Sequence, residues 1–445
     1  MTKDLTSGSP LKVILWFALP LVLGNLFQQF YSLADTIIVG RFVGVNALAA
    51  VGSTSSINYL ILGFVIGVCN GFAIPIAQFF GARDFSDMRR YIANATWLCV
   101  FGAVVLTVFT VLLTRPILQL MQTPSDIIDD AVTYIGWIFA GIPIVFLYNM
   151  VTCIMRELGA SKTPLIFLII PRVLNVELDL FFIIVLDAGV VGAAVETDLS
   201  QAVSGIISLI YLLKKFDIIK MQPGENRLHS GACAKLLGMG LPMGLQCSIT
   251  AIGSIIMQWA VNVLGSTAVA AVTAAGKTSN LLCVPLESIG TAMTTYAGQN
   301  LGAARLDRVR SGVRCAMGII TVYAAGSLLL LHFFDVGIIG MFIDTGTELE
   351  VVSMAQSYLF WNSVFYLPLG ALIVWRYDIQ GLGYSSIAML AGVAEMIART
   401  AVALLLVPAL GYFGASLANP AAWIAACIFF APAYSWPKPP IANRL

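Results

Sequence analysis

Apolar runs of at least about 18 residues, the length that crosses a bilayer as an α-helix, follow one another along almost the whole chain. Short stretches of glycine, proline and charged residues separate them. These breaks divide the chain into twelve predicted spans, at 11–40, 46–80, 88–114, 126–152, 162–186, 189–213, 232–264, 268–300, 306–334, 346–376, 384–407 and 411–436. The pattern predicts an all-α polytopic membrane protein with twelve transmembrane helices.

The basic residues fall mainly in every second connection between these spans. If both termini lie on one side, 19 of the 24 Lys and Arg residues share that side, including Arg376, and only Arg41 and Arg115 lie in segments on the other. Short loops rich in Lys and Arg stay in the cytoplasm. The asymmetry therefore predicts a multi-pass protein of the inner (plasma) membrane of a cell, with both termini in the cytoplasm.

The two halves of the chain repeat each other. Leu19-Pro20 corresponds to Leu241-Pro242, and AQFFGARDFSDMRR (77–90) corresponds to GQNLGAARLDRVRSGVR (298–314). The offsets are 222 and 221 residues, close to half the chain, which indicates a duplication. An even number of spans in each copy makes the repeats parallel, as in some transporters. We expect an amino-terminal lobe at 1–213, a polar cytoplasmic linker at 214–231 and a carboxy-terminal lobe at 232–445.

Composition narrows the class of protein further. The chain is 59% hydrophobic and 11% charged, whereas soluble domains carry about 25% charged residues. The net charge of +1 gives no reason to expect a nucleic-acid partner. The 8 cysteines form no CxxC pair and there are only 2 histidines, so we expect neither a metal site nor a resident cofactor. No nucleophile and base are placed together, and we do not expect an enzyme.

One carboxylate stands inside the apolar stretch from Leu19 to Gly52. Asp35 is at membrane depth, where a carboxylate is costly and usually faces a bundle interior or a water-filled cavity. Tyr31 and Gln28 lie one and two turns before it on the same side of a helix, and Pro20 can bend that helix. We expect Asp35 to be a protonatable or ion-binding switch; a purely structural buried carboxyl group is the alternative.

A second acidic stretch, LNVELDLFFIIV (174–185), lies in the fifth predicted span. Asn175 and Asp179 are one turn apart on one face, and Thr197 on the next span can add a hydroxyl group. Two carboxyl groups in one apolar bundle resist ionising together, because both burial and a like charge favour the neutral form. The pair can therefore exchange protons, or its oxygens can hold Na⁺ instead. The alternative is a structural hydrogen bond between the first and fifth spans.

Other charged residues fall within spans. Glu395 and Arg399 lie one helical turn apart and are expected to form an ion pair. For Arg172, Glu177 and Glu196 we expect pairing or a position near the membrane interface rather than a functional role.

These stretches together resemble a known transporter family. LPLVLGNLFQQFYSLADTIIVGRFVGVNALAAVG, SKTPL, LNVELDL, VVGAA and AGQNLGAARLDRVR are similar in order and spacing to the multidrug and toxic compound extrusion (MATE) transporters, closest to the DinF-like bacterial branch. The resemblance covers nearly the whole chain. It implies two pseudo-symmetric six-helix lobes around a central cleft. It also implies antiport, in which organic cations or other lipophilic compounds leave in exchange for H⁺ or Na⁺.

The resemblance also implies roles for single residues. Asp35 would be the carboxylate of the first helix, and Pro20 the conformational hinge. The remaining members of a hydrogen-bonding site in the amino-terminal lobe would be Tyr31, Asn175, Asp179 and Thr197. A glutamate found on the seventh helix of the NorM-like branch is replaced by Thr250. Ion coupling is therefore expected in the amino-terminal lobe.

Several positions depart from the family pattern, which suggests a divergent or altered member. They are Glu157, Ala160, Pro171, Arg172, Glu177, Glu196 and Asp378. A lipid-linked-precursor flippase of the same superfamily and a transport-impaired variant are therefore kept as alternatives. The expected partners are a small organic cation or lipophilic substrate and membrane lipid, bound by a monomer.

Overall fold

The computed structural model describes residues 4–38, 45–121, 123–125, 127–182, 186, 188–340 and 348–435. Within its helices, the side chains of 31–38, 45–49, 170–174, 176, 179–180 and 433–435 are not described. The described residues are almost all helical and contain no β-strand. The α-helices are α1 (Pro10–Ile38), α2 (Val45–Gly81), α3 (Phe85–Leu120), α4 (Ile128–Ala140), α5 (Ile142–Glu157), α6 (Lys162–Leu180), α7 (Gly189–Lys215), α8 (Ser230–Asn262), α9 (Ser266–Gly302), α10 (Leu306–Ile339), α11 (Leu349–Val364), α12 (Tyr366–Gly381), α13 (Ser385–Ala401), α14 (Val407–Leu410), α15 (Tyr412–Ser416) and α16 (Ala418–Ser435).

Membrane-length helices dominate the fold. Among the described residues, 7 helices are long and apolar enough to cross a membrane, or up to 9 if each bent helix pair is one span. The bent pairs are α4 with α5, at 44°, and α11 with α12, at 50°. The prediction of an all-α polytopic membrane protein is confirmed, although the fourth and tenth predicted spans are broken rather than continuous.

The first of these bends has a visible cause. Gly141 separates α4 from α5, and a Cβ atom at this position would overlap the carboxyl group of Asp198 on α7. Pro143 follows at the start of α5, where its missing N–H costs no helical hydrogen bond. The absence of a side chain at Gly141 therefore makes room, at the bend, for a polar side chain from a neighbouring helix.

Backbone geometry repeats between the two halves. Arg83 and Ala304 are the non-glycine residues with positive φ in the described ranges, at 59° and 58°, and they are 221 residues apart. Each follows the end of a long helix, α2 or α9, where a left-handed residue commonly stops a helix. Gly159 and Gly383, with φ of 85° and 93°, end α5 and α12 in the same way. The prediction of two pseudo-symmetric copies is confirmed.

Helix α1 contacts both halves of the molecule. Ile14 and Phe17, near its beginning, are buried in a core formed with α9, α10, α12, α13 and α16. Pro20 is buried inside the helix, and four residues later Gly24 faces Leu165 of α6. Asn25 of α1 still donates to Ser288 Oγ of α9 at 3.1 Å, so α1 contacts the second half of the fold both before and after Pro20.

The segment between α7 and α8 is fixed onto α3. Arg89 donates from Nε and Nη2 to Glu225, at 2.6 and 2.8 Å, and Ser86 Oγ donates to the same carboxylate at 2.9 Å. The bond from Arg89 is the main reason that the pKa of Glu225 is lowered to about 2. This ion pair holds the connecting segment in place; the boundaries of the lobes and linker stay a prediction.

Glycines bring α2 and α8 into backbone contact. A Cβ atom on Gly67 would lie 2.6 Å from the carbonyl oxygen of Met243, and one on Gly71 would lie 2.5 Å from Cα of Gly240. Real Cβ atoms do not approach this closely, so larger residues would force the two helices apart. The two halves of the fold therefore meet directly along these helices.

The ends of α2 and α9 meet in the same way. A Cβ atom on Gly81 would overlap the carbonyl oxygen of Gln299, and one on Gly302 would overlap the carbonyl oxygen of Gln78. These two contacts are related by the internal repeat, because both residue pairs are offset by 221 residues. We call this region, 78–81 with 299–302, the closed end.

Candidate functional site

A buried polar cluster joins α6 to α7. Asn175 Nδ2 donates to Oε2 of Glu196 and, at 3.0 Å, to Ser200 Oγ. Thr197 Oγ1 donates to the other oxygen of Glu196 at 2.8 Å, as well as to the carbonyl oxygen of Ala193 at 3.0 Å. Asn175 and Glu196 are both fully buried. The cluster therefore places the Asn175 amide and the Thr197 hydroxyl group on one carboxyl group inside the bundle, with Ser200 bound to the amide.

Small residues allow this approach of the two helices. Gly192, Ala193 and Ala194 are buried on α7, one turn before Glu196. A Cβ atom on Gly192 would lie 3.3 Å from Phe182 Cβ, just beyond the end of α6. Small residues at helix contacts let the backbones come close enough for side chains to form hydrogen bonds across helices.

Among the predicted site residues, the structure places Asn175 and Thr197 on one carboxyl group, that of Glu196. Gln28 is exposed on α1. Asp35, Tyr31 and Asp179 lie within helices α1 and α6, but their side chains are outside the described residues. Their contacts with the cluster therefore stay predictions.

The cluster retains one unsatisfied acceptor. Asn175 Oδ1 is buried and has no hydrogen-bond partner among the described residues. Asp179 follows one turn later on the same face of α6. Within the described ranges, no three His, Cys, Asp or Glu side chains converge as metal ligands. The arrangement can hold a proton, or with further oxygens a small cation.

Sequence reasoning underestimated Glu196. It was expected to pair or to lie near an interface, whereas it is the acceptor at the centre of the cluster. The sequence did contain an indication of this role. Ser200 lies one turn after Glu196 on the same face of α7, and a polar pair on the face towards α6 needs a hydrogen-bond donor from α6. The partner of Glu196, on another helix, could not be identified from local spacing.

A second buried network lies between α12 and α13. Arg376 Nη2 donates to Oε1 of Glu395, and Arg399 Nη2 lies 3.8 Å from Oε2 of the same residue. All three residues are buried. The placement of Arg376 in a cytoplasmic connection was wrong, because α12 continues to Gly381 and buries it. Glu395 and Arg399 are within ion-pair distance as expected, but Arg376 is the closer partner of Glu395.

Replacing Glu395 with Ala should destabilise the protein strongly. The change leaves two buried guanidinium groups without their shared counter-ion, and breaking such a pair costs about 3–5 kcal/mol. We expect a clear drop in the Tm measured by thermal unfolding in detergent. Glu350→Ala, at an exposed position in the first turn of α11, is the matched control and should unfold like the wild type. Equal Tm values for the two variants would contradict the structural role of Glu395.

An exposed acid interrupts the buried part of α9. Glu287 is exposed, although Leu286 and Ser288 beside it are fully buried. Tyr377 of α12 donates its hydroxyl to Glu287 Oε2 at 2.6 Å. Thr250, which the resemblance implies replaces a glutamate of the NorM-like branch, donates to the carbonyl oxygen of Gln246 within its own helix at 3.0 Å. Glu287 of α9 thus places an acid at an exposed position, whereas Thr250 of α8 forms a hydrogen bond within its own helix.

Comparison with known proteins decides the family. The family model MatE matches residues 20–181 and 242–419, one segment in each half of the chain. The chain belongs to the MatE family. The first matched segment of this MatE protein contains Asn175 on α6. The second contains the network of Glu395.

Two curated relatives and one solved structure illustrate the similarity. The chain is 30% identical over 384 residues to the probable multidrug resistance protein YpnP of Bacillus subtilis, covering 85% of this chain and 84% of YpnP. It is 28% identical over 361 residues to the probable multidrug resistance protein YoeA of the same organism, covering 80% and 77%. A crystal structure of MATE in complex with MaL6 superposes with a TM-score of 0.89 at 23% identity and covers 97% of both chains. The last similarity concerns the fold alone.

Family membership establishes the general class of activity. MatE proteins are membrane transporters of small molecules and belong to a multidrug efflux family. This MatE protein is thus a transporter rather than an enzyme, and it resides in a membrane.

Proposed function

We propose that this MatE protein is a secondary active multidrug efflux transporter, an antiporter that exports organic cations or lipophilic compounds in exchange for H⁺ by alternating access. The main support is the buried cluster of Asn175, Glu196 and Thr197, because a carboxyl group surrounded by donors inside a bundle can change its hydrogen bonds when it gains or loses a proton. Asp179 on the same face of α6 and Asp35 on α1 supply two further membrane-depth acids.

The proposed cycle starts with the cleft open to the outside. Protons reach Asp35 and Asp179 and neutralise them, which changes the hydrogen bonds of the cluster. Helix α1 then bends near Pro20, the cavity of the amino-terminal lobe shrinks and the substrate leaves. The lobes rock inward and release the protons to the cytoplasm. The coupling requires that protons bind the two conformations with unequal affinity, since a ligand with equal affinity shifts nothing.

We assign the closed end to the cytoplasm. The loops after α2 and α9, together with the beginnings of α3 and α10, contain many basic residues, namely Arg83, Arg89, Arg90, Arg305, Arg308 and Arg310. Basic connections of this kind stay on the cytoplasmic side. In this orientation both termini are cytoplasmic and the described conformation is closed to the cytoplasm. A bacterial plasma membrane is the proposed location.

The flippase alternative has little support from the described residues. Such a protein would line its cleft with several cations, and the sequence offers Arg172 and Lys277 as candidates. Lys277 is exposed on α9, the side chain of Arg172 lies outside the described residues, and Arg376 and Arg399 are buried against Glu395. Na⁺ is the alternative coupling ion, because the oxygens around Asn175 could hold it with additional ligands.

Transport of a fluorescent organic cation by proteoliposomes tests the proposal. We expect dye movement when a pH gradient is imposed alone, and loss of this movement when a protonophore is added. Movement driven by a Na⁺ gradient alone would replace H⁺ by Na⁺ as the coupling ion. Failure of both gradients would contradict antiport and would favour the transport-impaired alternative. Protein-free liposomes provide the background rate.

A further inference from the structure

A buried acid lies where the two halves of the fold touch. Glu157, the last residue of α5, is 1% exposed. Its carbonyl oxygen accepts a hydrogen bond from Nε2 of Gln299 at 2.8 Å, and Gln299 belongs to the closed end. Oε1 of Gln299 in turn accepts from the backbone N–H of Leu5 at 3.0 Å. Glu157 is thus held between α5 of the first half, α9 of the second half and the amino-terminal segment.

The carboxyl group of Glu157 is poorly satisfied. Its Oε1 lies 3.5 Å from Nε of Arg156, which is a long contact for an ion pair. Its Oε2 is buried without a hydrogen-bond partner among the described residues. Thr295 of α9 lies beside the carboxyl group, and its hydroxyl oxygen is also buried and unpartnered there. The Thr295 hydroxyl group is thus within reach of a weak hydrogen bond to the carboxyl group, although neither this hydroxyl oxygen nor Glu157 Oε2 has a partner of normal hydrogen-bond geometry among the described residues.

The strongest contact of Arg156 goes elsewhere. Its Nη2 donates to Oδ1 of Asn70 on α2 at 2.6 Å, which is much shorter than its contact with Glu157. Cys153 on α5 also lies beside Asn70, with Sγ 3.2 Å from Oδ1. The guanidinium group is therefore directed mainly at α2, and its contact with Glu157 is the longer of the two.

Few charged groups surround this carboxyl group. Arg156 is the one charged side chain that affects Glu157 among the described residues. The side chains that contact Glu157 from the second half, Thr295 and Gln299 on α9, are uncharged. Cys153 on α5 is a neighbouring thiol, and Asn70 on α2 accepts from Arg156. The Thr295 hydroxyl group can donate to the ionised carboxylate or accept from the neutral carboxyl group, so it does not decide between the two states. Burial with one long ionic contact favours the neutral state.

We propose that Glu157 is a proton-binding residue of the closed end, neutral while the two halves touch and ionised when they separate. Opening this end hydrates the carboxyl group and releases one proton from it. The closed state then binds more protons than the open state, so raising the pH favours opening. The role of this proton in transport rests on the proposed antiport; its link to opening does not.

Hydrogen exchange measured by mass spectrometry on the full protein in detergent tests the proposal. The relevant peptides cover 153–161 and 295–303, and protection factors correct for the intrinsic pH dependence of exchange. If one proton is released on opening, protection of these peptides should fall by up to about tenfold per pH unit within the range of about pH 5 to 8. Glu157→Gln keeps the neutral shape, so its protection should stay high and independent of pH.

Two further results decide the outcome. Asp217→Asn removes an exposed carboxylate between α7 and α8, and this control should keep the pH dependence of the wild type. Wild-type protection that does not change with pH would overturn the proposal, even if Glu157→Gln fails to fold. A pH dependence that persists in Glu157→Gln would also overturn it. Because exchange is measured without a gradient or substrate, this result is independent of whether H⁺ drives efflux.

Discussion

Asp35→Asn is expected to abolish the dye efflux that an imposed pH gradient drives in proteoliposomes. Asparagine has nearly the same shape as aspartate but cannot exchange a proton, so protonation can no longer distinguish the two conformations. Coupling between two ligands typically changes affinity by a factor of about 5–150, and its removal should lower the initial efflux rate by at least about tenfold. The measurement is the initial rate of fluorescence change after the gradient is applied.

The specificity of this loss needs a matched variant. Asp130→Asn changes an exposed aspartate in the first turn of α4 and should transport at the wild-type rate. Dye binding to purified Asp35→Asn, followed by fluorescence anisotropy, checks that the variant is folded. Gradient-driven efflux at the wild-type rate from Asp35→Asn would exclude Asp35 from the coupling mechanism.

Gly302→Ala is expected to prevent the closed end from forming. The added Cβ atom would overlap the backbone carbonyl oxygen of Gln78, which cannot move aside as a flexible side chain could. The ends of α2 and α9 must then separate, and the conformation closed at this end becomes inaccessible. We expect efflux to fall by at least about tenfold, the change that about 1.4 kcal/mol produces in an equilibrium. Proteoliposome efflux and hydrogen exchange of peptide 295–303 measure the two effects.

The chain offers a matched glycine for this test. Gly318 lies inside α10, and a Cβ atom there would meet nothing within 4 Å. Gly318→Ala should transport normally and gain about 0.5–1 kcal/mol of helix stability. If Gly302→Ala retains both normal efflux and normal protection, the tight contact is not needed for transport.

Much of the fold could be predicted from local pattern. A bilayer requires long apolar runs, so the helices were visible before any tertiary information. The duplication was visible because both copies keep features that break or bend helices, such as Pro20 and Pro242 inside α1 and α8. Residues that set backbone geometry recur at a constant offset in the sequence. Arg83 and Ala304 confirm this in the structure, because both have positive φ at equivalent positions of the repeat.

Contacts between distant segments could not be predicted in this way. Arg376 was misplaced because hydropathy ended its span early, and its buried partner lies on another helix. The hydrogen bond from Asn175 to Glu196 likewise connects two helices whose rotation is set by packing. The contacts of α1 with both halves of the fold likewise depend on which helices pack against each of its turns. Local spacing shows which residues share one face of a helix, whereas tertiary packing determines which residues of other helices contact that face.

The reciprocal contact of the closed end has an evolutionary consequence. The carbonyl oxygen of Gln299, in the second copy, packs against Gly81. The equivalent oxygen of Gln78, in the first copy, packs against Gly302. Such a self-complementary contact is what an isologous dimer forms across its twofold axis. A single-copy ancestor could have assembled as a homodimer through this same contact between a glutamine carbonyl oxygen and a glycine. After fusion of the two genes, the acidic residues of the two halves could diverge, while the contact between the halves stayed the same.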